Sequence, residues 1–287
     1  MSNLIIDALF RTNAIRVCMP DQPFWYTSGM LGPFYINTHF LYGSEEEASE
    51  LLRLIETAAY EDRLTFPSVL LDVLKNQYAT NQTFRLVTDQ IVSVTKTLPF
   101  DCISGGERRD FFFSLLPAAI LGKPHLSIFK DRSAVYTDVQ LMKTEAVEEG
   151  SVSGMRILHI SDLITEASSY ERAWIPVIRE LGAEICDTIT VVNRKQDGES
   201  VLRREGVTMH ALSEIDLSLF ESALEIGAIT ESQFHVVRSF ILNPTDFMSS
   251  FLLSHPDFIA QQIALGGKAR ERAEMAIEKG YAPPVCR

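Results

Sequence analysis

Apolar positions recur at helical spacing near the start of the chain, where Leu4, Ile5, Ala8 and Leu9 predict an amphipathic helix over residues 3–12. A longer helix is expected over 44–63. Ser44 and Glu47 have the spacing of a capping box there, and Leu51, Leu52, Leu54 and Ile55 supply a buried stripe. Residues 66–98 read as two further helical segments broken near 76–82, an insertion with no visible chemistry. The period then changes. Short apolar runs at 100–104, 125–129, 157–160 and 184–192 alternate with helical stretches at 111–121 and 170–181. That alternation predicts an α/β core with a central parallel sheet flanked by helices. Beyond residue 213 the pattern is helical again, with a capping box at Thr230 and Gln233, a break at Asn243-Pro244, a helix opened by Pro256 and a stop at Gly266-Gly267. The expected division is a domain over 1–212, with the insertion at about 64–98, and a helical extension over 213–287 that caps the sheet or mediates dimerisation.

Composition narrows the partners. The 287 residues are 46% hydrophobic and 22% charged, ordinary values for a chain that buries a core. A net charge of −12 argues against nucleic acid or an anionic membrane as partner, because both need a basic face. No run is apolar enough to span a bilayer and no leader is expected, so a cytoplasmic protein fits. Cys18, Cys102, Cys186 and Cys286 lack metal-ligand spacing and read as free, mostly buried thiols. His210, His235 and His255 share no ligand spacing and read as structural.

The candidate chemistry centres on residues 157–169, ILHISDLITEASS. A short strand should place Ser161 and Asp162 at its carboxyl end, where open parallel sheets put their ligands. Thr165, Glu166, Ala167, Ser168 and Ser169 then form a hydroxyl-rich turn into a helix, a natural anion site. An acid followed by such a turn suits a sugar phosphate: the acid bonds ribose hydroxyls and the turn cradles phosphate. An ordinary crossover of a doubly wound sheet has the same outline. A second turn follows residues 100–104, with Gly105, Gly106, Arg108 and Arg109 before an apolar helix. Glycines admit a phosphate close to backbone and arginine forks pair with its oxygens, so this turn suits pyrophosphate.

The stretch 157–169 resembles the phosphoribosyl-pyrophosphate (PRPP) motif of type I phosphoribosyltransferases, roughly V-L-I-V-D-D-V-I-T-T-G-T-S. Asp162 takes the second acidic place, while Ser161 replaces the first acid and Ala167 replaces the glycine; a methyl there is tolerable only without positive φ. Three further blocks follow in family order and resemble the orotate branch. WYTSGMLGPFYIN, residues 25–37, is similar to the amino-terminal hood, keeping its aromatics but holding Thr27, Met30 and Leu31 where basic residues are usual. The turn with Arg108 and Arg109 matches the pyrophosphate loop, and Lys130 matches a basic strand end. VVNRKQDGESVLRREGVTMHAL, from residue 191, resembles the run that holds the carboxylate of the base. Residues 135–141 read instead as a β-ribbon where the family has a mobile loop with a catalytic lysine.

The resemblance implies a phosphoribosyltransferase-like fold with an amino-terminal hood. It also implies a transferase that binds PRPP with Mg²⁺ and a nucleobase or nucleotide, as a homodimer. On that reading Asp162 and Lys130 are the catalytic candidates. Ser161, Thr165, Glu166, Ala167, Ser168 and Ser169 contact the ribose phosphate. Gly105, Gly106, Arg108 and Arg109 meet pyrophosphate, while Arg194 with Phe34 or Tyr35 meets the base. No protein ligand to metal is fixed beyond Asp162 acting together with PRPP. The alternatives are a non-catalytic PRPP or nucleotide sensor on the same fold, since altered acids and loop affect turnover more than binding, and a purely structural subunit.

Overall fold

The computed structural model describes residues 3–138, 140 and 142–283. Val139, Leu141 and Cys286 lie outside the described residues. The chain divides into two compact units, Met1–Ala14 with Asn37–Ile215 and Ile15–Ile36 with Asp216–Arg287.

The first unit is built on a seven-stranded sheet. Its strands, in chain order, are β1 (Cys102–Gly106), β2 (His125–Ile128), β3 (Ala134–Asp138), β4 (Lys143–Ala146), β5 (Arg156–Ile164), β6 (Glu184–Asn193) and β7 (Thr208–Glu214). In space they run 7-6-5-1-2-3-4. The first five in that order are parallel, and β3 and β4 add an antiparallel hairpin at one edge. The expected ribbon is thus present over its described residues. Strand β7 was not foreseen, because its half-buried edge sequence TMHALSE carries no strong apolar run.

Helices fill the crossovers. Phe111–Leu121 links β1 to β2 and is buried through its first eight residues. Phe66, Phe111 and Phe129 pack ring to ring beside it, with centroids 5.1 to 5.9 Å apart. The insertion resolves into helices Phe66–Thr80 and Gln82–Thr95. They are separated by Asn81, whose side chain accepts hydrogen bonds from the Thr83 and Phe84 amides at 2.9 and 3.0 Å. Both bury a leucine, isoleucine or valine stripe, so they are a layer of this unit's core. Ser44 caps Glu45–Glu61 as expected, accepting from the Glu47 amide at 3.1 Å.

Two strands differ from expectation at their ends. Gly105 and Gly106 lie inside β1, paired with Ser127 and Ile128, and not in the turn. A Cβ on Gly105 would stand 2.0 Å from Ser114 Oγ, and one on Gly106 would stand 2.2 Å from the Trp174 ring. Glycine is needed here for close packing, not for approach of a phosphate. Strand β5 runs on to Ile164, because β6 pairs with it as far as Asn193, so Ser161 and Asp162 lie within the strand.

The second unit joins two small antiparallel ribbons, Ile15–Val17 with Phe34–Ile36 and Phe24–Trp25 with Leu31–Gly32, to five helices. These helices are Leu217–Glu225, Glu231–Leu242, Pro244–Ser254, Phe258–Leu265 and Gly267–Glu278. The division falls after Ile215, and residues 15–36 group with the C-terminal helices. Aromatic packing is the reason: Phe34 meets Phe220 and Phe240, and Trp25 stacks on Phe258. Trp25 Nε1 also donates to Gln262 at 2.9 Å. Thr230 and Gln233 form the full capping box, and Asn243 caps the helix that Pro244 begins. Among the described residues no helix is long and apolar enough to cross a membrane.

Candidate functional site

At the carboxyl ends of β1 and β5 the first unit encloses a cavity of about 270 Å³. One wall is the turn after β1, with Glu107, Arg108, Arg109 and Asp110; the other is the end of β5 and its turn, with Ser161, Asp162, Thr165, Ala167, Ser168 and Ser169. The two meet because β5 pairs directly with β1. Lys130, just after β2, completes the basic side.

Asp162 is 7% exposed, and its Oδ2 has no hydrogen-bond partner. Burial pushes this carboxyl up to about 7. The charge of Asp110 adds to the rise, while Arg109 and backbone amides oppose it. A buried acid with an orphaned oxygen at a cavity wall is costly unless something arrives to pair with it. Beneath it Tyr170 donates to or accepts from Thr188 Oγ1 at 2.6 Å, and burial holds its phenol well above the usual range.

The hydroxyl turn is tight. Ala167 has φ +54, so the alanine standing where the motif has glycine adopts the left-handed conformation after all, contrary to expectation. Its carbonyl accepts from the Tyr170 and Glu171 amides at 2.9 and 3.2 Å, which closes the turn and holds the strain in place. A π-helical turn, Tyr170–Trp174, continues into the helix Ile175–Glu180. Gly198 lies beneath the turn and donates from its amide to Thr165 O at 3.0 Å; a Cβ there would stand 2.5 Å from that oxygen.

The arginine turn is arranged by charge. Arg108 pairs with Glu56, and Glu107 lies 3.8 Å from Lys130 Nζ while accepting from the Lys130 amide at 3.0 Å. The Glu107–Arg108 peptide is cis. Arg108 and Arg109 both bear on the buried His39, whose pKa falls to about 3, chiefly through burial. That ring therefore stays neutral beside them.

The structure brings together Asp162, Lys130, Ser161, Thr165, Ala167, Ser168, Ser169, Arg108 and Arg109 around one cavity. Glu166 is exposed and does not line the cavity, and Gly105 and Gly106 lie in β1 outside its lining. Arg194 follows β6 and donates from its amide to Ile164 O at 2.8 Å, so it flanks the turn without lining the cavity. Phe34 is buried in the second unit, and the Tyr35 hydroxyl donates to Trp25 O there. Lys143, on β4, is 3.1 Å from Glu145. Sequence reasoning missed Asp110 and Glu107; the signal for both was their place in the same turn as the arginines. Cys102 and Cys18 are buried free thiols and Cys186 is half-buried.

No family model matches the chain. Over 127 residues it is 27% identical to an orotate phosphoribosyltransferase of Methanocorpusculum labreanum, covering 44% of this chain and 70% of that one. Among solved structures, UMP synthase of Leishmania donovani is similar with a TM-score of 0.57 at 19% identity. That match covers 84% of this chain and 42% of the synthase, so the chain spans less than half of the synthase's length. Orotate phosphoribosyltransferase of Francisella tularensis is similar with a TM-score of 0.51 at 11% identity, covering 83% of this chain and 96% of that one. The chain carries the phosphoribosyltransferase fold, and among proteins of that fold it resembles the orotate phosphoribosyltransferases.

Proposed function

We propose that the cavity binds PRPP and that the protein transfers its phosphoribosyl group to a nucleobase, with orotate the first base to test. The observation that carries this reading is the orphaned Asp162 Oδ2, set between a hydroxyl turn and an arginine turn in one cavity. Thr165, Ser168 and Ser169 would take the 5-phosphate, and Arg108, Arg109 and Lys130 the pyrophosphate. Arg194 is the candidate for the base carboxylate.

In the reaction a ring nitrogen of the base bonds to C1 of the ribose as the bond from C1 to the pyrophosphate oxygen breaks. Pyrophosphate leaves with that electron pair. Positive charge builds on the ribose ring as the old bond stretches, and an ionised Asp162 stabilises it. The arginines hold the departing diphosphate and disperse its charge. Among the described residues no group of three or more metal-ligating side chains is present. The oxygen donors of Asp162 and Asp110 nonetheless suit a hard cation bound mainly through substrate phosphates. Bound in that way, Mg²⁺ would neutralise phosphate charge, with Asp162 as its protein ligand. The resemblance also supports a cytoplasmic homodimer, which light scattering tests.

The experiment is calorimetric titration with PRPP and Mg²⁺, followed by orotate and a pyrophosphate-release assay. Binding and release are expected, and Asp162→Asn should weaken PRPP. Binding without release across a panel of bases would leave a sensor in place of a transferase. Unchanged affinity in Asp162→Asn would remove the site assignment.

A further inference from the structure

The cavity contains a carboxyl that the PRPP-like motif lacks. Asp110 closes the arginine turn, is 8% exposed and lines the same wall system as Asp162. The two acids are 52 positions apart in the chain, yet Asp110 Oδ1 accepts from the backbone amide of Asp162 at 3.1 Å. Asp110 Oδ2 accepts from the Gly106 amide at 3.2 Å, and His159 Nε2 stands 3.4 Å from the same oxygen. His159 is itself fixed through Nδ1, 2.8 Å from the buried Ser104 hydroxyl. Asp110 is therefore aimed by two backbone amides and a buried imidazole. It stands beside Asp162 in a chain whose own motif offers only Ser161 next to that acid.

Two buried acids side by side repel and are poorly solvated, so the fold gains little by pairing them without a ligand. A vicinal diol resolves that cost, because each hydroxyl donates a charge-assisted hydrogen bond to one carboxylate. Asp162 offers its orphaned Oδ2, and Asp110 Oδ1 keeps a second acceptor direction beyond its amide bond, whereas Asp110 Oδ2 is already met by the Gly106 amide and His159. We propose that Asp110 replaces the missing acid of the motif and, with Asp162, clamps the ribose diol, so that the site selects ribose over 2-deoxyribose phosphates. Asp110 belongs to the turn assigned to pyrophosphate, which is attached at C1, so it takes the adjacent 2-hydroxyl. Asp162 leads into the turn assigned to the 5-phosphate, so it takes the 3-hydroxyl.

This rests on the reading of the cavity as a sugar-phosphate site, and one set of titrations separates the two. Wild type, Asp110→Asn and Ser161→Asp are each titrated with ribose 5-phosphate, 2-deoxyribose 5-phosphate and inorganic phosphate. Wild type should prefer the ribose compound by about tenfold or more, the worth of one hydrogen bond to a charged group. Asp110→Asn should lose most of that preference while binding inorganic phosphate as wild type does, which also shows that it is folded. Ser161→Asp should change the preference less than about twofold, because the place of the second acid is already filled. A preference retained in Asp110→Asn, or one that rises about tenfold in Ser161→Asp, overturns the proposal. Equal binding of the two sugars by wild type removes the clamp and leaves the phosphate site standing. Failure of wild type to bind any of the three ligands removes both.

Discussion

The turns after β1 and β5 each lead from a buried parallel strand into a helix and face one cavity, but they are built from different chemistry. The first carries charge: Arg108 is held by Glu56, Lys130 by Glu107, and Arg109 acts on Asp162 and His39. The second carries hydroxyls at Thr165, Ser168 and Ser169, with Ala167 in a left-handed conformation over the packed Gly198. Charged side chains reach from a distance and tolerate some play. A hydroxyl turn has to fit its anion through short, oriented bonds, so its backbone is fixed tightly from below. A diphosphate suits the first and a single phosphate the second. The difference is one of tolerance: the charged turn should survive changes that the close-packed strands and the hydroxyl turn will not.

Breaking the packing beneath the turns should have the largest effect. Gly106→Ala would put a methyl 2.2 Å from the Trp174 ring, which cannot retreat from a buried position. A loss of about 2–4 kcal/mol is expected, read from the denaturant midpoint. A midpoint unchanged from wild type would show that the strand has slack.

Asp162 gives the next effect. Its folded pKa is raised, so between about 4 and 7 the native state holds more protons than the unfolded chain, and stability falls as pH rises through that window. Asp162→Asn removes this loss. It should be more stable than wild type by roughly 2–3 kcal/mol at pH 8 and close to it at pH 4.5, as measured by urea unfolding at both values. Ligand binding should run the other way in wild type, strengthening as Asp162 ionises. A stability difference independent of pH would contradict the buried-acid account.

Arg109→Ala sharpens the contrast between the turns. PRPP affinity should fall about 10- to 100-fold by calorimetry, with a much smaller loss for a nucleoside monophosphate. Equal losses would deny the arginine turn its pyrophosphate role. Smallest is Ala167→Gly, which relieves the positive φ and should stabilise the protein by about 0.5–1 kcal/mol, reduced by the greater freedom of glycine in the unfolded chain. A destabilised variant would show that the methyl packs better than it strains.

Much of this was written locally. The helix Phe111–Leu121, the break at Asn81 and the capping box of Thr230 and Gln233 matched their sequence signals, while Ser44 made only its half of the box, because periodicity and cap chemistry act over a few residues. Strand ends were less legible. Gly105 and Gly106 look like turn residues in sequence, and only the nearness of Ser114 and Trp174 shows why a strand needs them.

By itself, the sequence determined the βα alternation, the hydroxyl turn and the arginine turn, since each depends on neighbours within a dozen positions. Tertiary structure alone decided that Asp110 meets Asp162, because that contact exists only once β1 and β5, separated by three strands in the chain, lie side by side in the sheet. It also decided that residues 15–36 join the C-terminal helices, through rings of Phe34 and Trp25 packed on partners about 200 residues away. Packing of this kind follows from shape and burial across the whole chain, which no local pattern records.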